Sequence, residues 1–98
     1  MYINIIRSYR DIVAICDAEL LGKFFEEENF QLDVKESFYK GEKTTEEKAV
    51  SLMKDMAIED ATFNIVGAKS VNAALKAGVI NQHGVNKIQG IPFALILM

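Results

Sequence analysis

Tryptophan is missing from this chain, and proline, cysteine and histidine occur once each, as Pro92, Cys16 and His83. A single cysteine excludes an intramolecular disulfide, and without a secretory signal it fits a reducing compartment. One histidine and one cysteine are a poor start for a zinc site, and no motif for a cofactor is present. Apolar runs are short. The longest at the C-terminal end, Phe93 to Met98, falls far below the roughly 20 residues that a membrane helix needs and reads as a buried strand. The start, Met1-Tyr2-Ile3-Asn4-Ile5-Ile6-Arg7, lacks the basic segment and apolar stretch of a targeting signal. Repeats, low-complexity segments and flexible linkers are absent too. The expectation is one cytoplasmic domain over residues 1–98, with no membrane partner.

Acid is also missing, but only from one part of the chain. Residues 1–60 hold eight basic and fourteen acidic residues, a balance of −6, whereas residues 61–98 hold Lys69, Lys76 and Lys87 and no acid. An acid-free, Asn- and Gly-rich third can face an anion. Three lysines that keep an apolar segment soluble would look the same, and RNA-binding patches usually carry more charge.

What is present patterns as α+β. Tyr2–Arg7 and Asp11–Cys16 read as strands joined by the short hairpin Ser8-Tyr9-Arg10. The second is almost continuously apolar, as a strand buried on both faces would be. Asp17 is placed to cap one turn through Leu21, ended by Gly22. Lys23–Glu27 and Phe30–Val34 read as short strands about a solvated Glu26-Glu27-Glu28-Asn29 turn, and Ser37–Gly41 as a loop anchored by its aromatic pair. A helix over Thr45–Ala57 has a capping box at Thr44 and Glu47 and an apolar face of Ala49, Leu52, Met53, Met56 and Ala57. Thr62–Val66 is a strand, and a helix over Ala68–Ala77 follows, with Val71, Ala74 and Leu75 inward and Gly78 as its cap. Asn81–Gly84 is a turn, Val85–Gln89 a strand, Gly90-Ile91-Pro92 a bend and Phe93–Leu97 the last strand. The architecture expected is a mixed or largely antiparallel sheet with two principal helices on one side.

Chemistry has few places to sit. Strand, Gly67 and helix form a unit whose unpaired N–H groups suit an anion, with Lys69 and Ser70 in the first turn. It is not a nucleotide-binding phosphate loop, because Phe63 and Ala68 stand where that motif needs glycines. The anion or RNA candidates are therefore Asn64, Gly67, Lys69, Ser70, Asn86 and Lys87. His83 lies in a polar turn with no partner nearby in sequence. Cys16-Asp17 ends a buried strand, and the adjacent carboxylate opposes a thiolate. The adjacent side chains of Glu26, Glu27 and Glu28 diverge rather than converge on an ion.

Four blocks carry a resemblance to a family. They are Cys16-Asp17-Ala18-Glu19-Leu20-Leu21-Gly22-Lys23; Glu36-Ser37-Phe38-Tyr39-Lys40-Gly41-Glu42; Asn64-Ile65-Val66-Gly67 with Val71, Ala74 and Gly78; and Gly84-Val85 through Ile88 to Gly90-Ile91-Pro92. Together they resemble an archaeal family known as domain of unknown function 424. That resemblance implies an archaeal, cytosolic protein whose relatives occur beside translation genes. In the family a His often follows the last block's proline. Phe93 stands there here, which counts against an enzyme.

The reading that follows is a small non-enzymatic module contacting RNA or a translation-associated ribonucleoprotein through its C-terminal third. The alternatives are a protein-interaction or homodimerisation module, resting on the apolar C-terminal strand, and a small enzyme using Cys16 and Asp17 or His83.

Overall fold

Tyr2–Ile6 (β1) and Ile12–Cys16 (β2) pair antiparallel with Ile3 opposite Ile15 and Ile5 opposite Val13. They begin a sheet in the structure, a computed structural model that describes residues 1–96. From β2 the chain passes a 3₁₀ turn at Ala18–Leu20 and a separate hairpin of Phe24–Glu27 (β3) and Phe30–Asp33 (β4). A short helix, Glu36–Tyr39 (α1), and an edge strand, Glu42–Lys43 (β5), lead to the long helix Glu46–Ile58 (α2). Then come Thr62–Val66 (β6), Ala68–Ala77 (α3), Asn86–Ile88 (β7) and Ile91–Ile96 (β8).

The six-stranded sheet has the order β5-β1-β2-β6-β8-β7. Among the described residues only β2 and β6 run parallel, with Cys16 beside Val66, and a parallel pair requires a long crossover. The other pairings are antiparallel. This is the mixed, largely antiparallel α+β sheet expected from the sequence.

Each face of the sheet has its own cover. Ile3, Val13, Ile15, Phe63, Ile65 and Ala94 pack on Ala49, Met53 and Met56 of α2 and on Val71, Ala73 and Ala74 of α3. Ala14, Cys16, Val66, Ile88 and Phe93 on the other face pack on Leu32, Val34 and Tyr39. Two covered faces explain the unbroken apolar sequence of β2, since alternate residues enter different cores.

Several local readings shift. The α2 cap is Thr45, whose hydroxyl accepts the Lys48 N–H at 3.3 Å, so the helix starts one residue later than the Thr44 box implies. Leu52 is only half-buried and Ala57 is exposed, while Met53 is fully enclosed. The expected loop Ser37–Gly41 contains the end of α1, with Tyr39 buried. β8 starts at Ile91 rather than Phe93, so Pro92 lies within a strand. It is tolerated because its carbonyl accepts the Gly67 N–H at 2.8 Å, while the Gly67 carbonyl accepts the Val71 N–H. The N–H that proline lacks would have faced a carbonyl already engaged in α3. Leu97, assigned to this strand from sequence, lies outside the described residues.

Candidate functional site

The parallel strands β2 and β6 end side by side, at Cys16-Asp17 and Val66-Gly67. The Asp17 N–H donates to the Val66 carbonyl at 3.0 Å, which extends the pairing and aims the Asp17 side chain at the start of α3. There Oδ2 accepts the Lys69 N–H at 3.1 Å, and Oδ1 accepts both the Ser70 N–H and the Ser70 hydroxyl at 2.8 Å. Asp17 is 4% exposed and Ser70 0%. Burying a carboxylate is costly unless it is fully hydrogen-bonded, and here three donors and the positive end of a helix offset that cost. Gly67, at φ +108°, completes the fit, because a Cβ there would lie 2.3 Å from the Asp17 carboxyl carbon.

The chain's own carboxylate thus occupies the seat that the sequence offers to an outside anion at Gly67, Lys69 and Ser70. Asp17 makes no side-chain cap on the turn that follows it. The Lys69 side chain is exposed beside Met1, Glu46 and Asn72, where Glu46 already pairs with Lys76 at 2.9 Å. Next to Asp17, the Cys16 thiol is fully buried, and burial first, then the Asp17 charge, pushes its pKa up to about 11. At neutral pH it is a protonated core thiol. His83 is exposed in the 3₁₀ turn Gln82–Gly84, well away from both in sequence. Among the described residues no three His, Cys, Asp or Glu side chains converge to hold a metal ion.

A second place is open. The β3–β4 hairpin lies across the sheet with its tip over β7 and β8. The Gln89 N–H donates to Glu27 Oε1 at 2.8 Å and its side-chain amide to the Glu26 carbonyl at 2.6 Å. The Phe30 ring stacks on Phe93 with centroids 5.2 Å apart and planes 17° apart. Beside this stack runs a groove of about 380 Å³ bordered by Glu28, Phe30, Asn86, Lys87, Phe93 and Leu95. Phe30 remains 43% exposed and Leu95 42%, and the two border the same depression.

The structure therefore divides the sequence candidates. Asn86 and Lys87 come together at the groove. Lys69 and Ser70 belong to α3, on the opposite side of the sheet. Asn64 is half-buried on β6, between Ala14 and Leu95 in register. Phe30 and Leu95, which form the apolar floor, were not candidates. Their one signal in the sequence is alternation, which puts Leu95 on the same face as Phe93.

The described residues include no helix long and apolar enough to cross a membrane. No curated protein matches the chain. The fold is similar to that in the crystal structure of an uncharacterized conserved protein from Methanopyrus kandleri, with a TM-score of 0.85 at 20% identity over 97% of this chain and 88% of that one. The sequence model of the family described as "Protein of unknown function (DUF424)" matches residues 6–98, and the chain belongs to that family.

Proposed function

We propose that this protein is a non-catalytic binding module that takes an apolar side chain of a partner protein into the groove between the β3–β4 hairpin and the β7–β8 pair. The observation that carries this reading is the shared exposure of Phe30 and Leu95 about one depression. Contiguous exposed apolar surface marks interaction sites, whereas apolar side chains exposed singly do not. Support also comes from what the other candidates are doing. Asp17 fills the anion seat, and Cys16 is buried and protonated.

Calorimetric titration tests the reading. The ligands are threonine-rich peptides that carry a single valine, leucine or phenylalanine, and a single-stranded RNA oligonucleotide. Saturable peptide binding that is lost in Leu95→Lys is expected, with heats changing little between low and moderate salt. Binding of the RNA alone, weakening steeply with salt as phosphate contacts require, would replace this reading with the nucleic-acid one. No binding by any peptide at millimolar concentration would remove it.

A further inference from the structure

We infer that the groove receives its partner as an added β-strand, paired to the outer edge of β7 at Lys87. On the hairpin's face that strand carries an apolar and a basic side chain, with an acidic side chain between them on the other face. This rests on the binding reading above and specifies its ligand.

The backbone argument begins with Pro92. Residues in an antiparallel pair alternate between exchanging both hydrogen bonds and turning away from each other. The Pro92 carbonyl faces β6, where it accepts the Gly67 N–H. Lys87 is the cross-strand partner of Pro92, so it too faces away from its neighbour, and its N–H and C=O point outward from the sheet. Asn86 and Ile88 on either side serve the ladder to β8. Beyond Ile88 the edge is closed, because Glu27 holds the Gln89 N–H. At Lys87 it is open, and Lys87 borders the groove. A lysine on an exposed edge discourages indiscriminate pairing and admits a strand that offers it a complementary charge.

The side-chain argument follows from the pleat. Asn86 and Ile88 share the hairpin's face with Phe93 and Ile91, so the Lys87 side chain belongs to the opposite face. An added strand alternates in the same way. One set of its side chains lies on the hairpin's face beside Asn86 and Ile88, where Phe30 and Glu28 border the groove. The set between them lies beside Lys87. Neither Glu28 nor Lys87 takes part in the ion pairs Arg7–Asp11 and Lys76–Glu46, and among the described residues neither has a partner of opposite charge. Opposite charges across neighbouring strands are favourable. An apolar residue turned into the groove toward Phe30, a base toward Glu28 and an acid beside Lys87 satisfy all three.

The test is amide hydrogen exchange by NMR on the full chain, with the capped peptide Thr-Lys-Glu-Val-Glu-Lys-Thr as the probe. Its symmetry allows either strand direction. The Lys87 amide should exchange quickly in the free protein and slow by about tenfold or more at saturation. Lys87→Glu should weaken this peptide, and the peptide with its lysines and glutamates exchanged should bind that variant better than it binds the parent. Groove shifts without slowing at Lys87 would overturn strand addition and leave the binding reading intact. No response to this peptide, while valine-only peptides still bind, would overturn the charge pattern. Concentration-dependent protection of Lys87 without peptide would overturn the choice of partner in favour of a second copy.

Discussion

At the scale of single residues, Asp17 ties the end of β2 to the start of α3. It satisfies three donors 52 and 53 positions away, and two of those bonds end on a fully buried serine. Asp17→Ala leaves buried donors without an acceptor, at about 1–3 kcal/mol for each such group. The expected loss is about 3 kcal/mol or more in urea unfolding, with Ser70→Ala costing about 1 kcal/mol. Equal small losses would show that the carboxylate is not anchored there. The adjacent thiol gives a pH test. Cys16 has an ordinary value of 9.0 and a folded value of about 11. Between these limits the unfolded chain loses the proton and the folded chain keeps it. Stability from this group is therefore complete below pH 9 and falls as pH rises toward 11, by at most about 1.4 kcal/mol per unit. Cys16→Ala should make unfolding free energy flatter in that window. A parent and variant with the same slope would contradict the burial. Tyr39, pushed up to about 12 by its own burial, contributes a loss of the same sign in both proteins. Local sequence points Asp17 at the following turn, because Asp side chains usually bond nearby backbone. The helix start at Gly67 outcompetes that turn, and no local pattern announces a contact across more than fifty residues.

At the scale of elements, much was legible. β6 and α3 have the boundaries that their sequences indicate, and β1, β2, β3 and β4 are each one residue shorter. Period-two and three-to-four-residue patterns report these elements directly. What periodicity does not fix is rotation within a wide apolar face. Leu52 and Met53 both fit the α2 stripe, but α3 and the sheet enclose Met53 and leave Leu52 at the margin. Met53→Asp should destabilise by more than about 3 kcal/mol, since it buries an unpaired charge, and Leu52→Asp by clearly less. The reverse order in thermal melts would shift the helix register. At the N-terminus of α2, Thr45→Ala should cost about 1 kcal/mol and Thr44→Ala only a few tenths. The hairpin's seat on Gln89 lies beyond such reasoning, because it joins residues 62 and 63 positions apart through one carboxylate and one carbonyl.

At the scale of the whole molecule, β8 locks the sheet together. It pairs with β6 on one side and β7 on the other, and it sends Ala94 into one core and Phe93 into the other. A chain cut after Pro92 should fail to fold at every concentration, as judged by circular dichroism and gel filtration. A folded, truncated monomer would mean that the two cores close without this strand. The two sides of the molecule also differ in character. The α3 side carries Lys69 and Lys76 with their neighbour Glu46, and the hairpin side carries the exposed rings and Leu95. The central claim, that the working surface is on the hairpin side, is tested most directly by mapping NMR shifts while the valine-bearing peptide is titrated into the full chain. The largest shifts should fall at Phe30, Asn86, Ile88 and Leu95, with those at Lys69, Asn72 and Lys76 unmoved. Shifts concentrated along α3, with the groove silent, would contradict it.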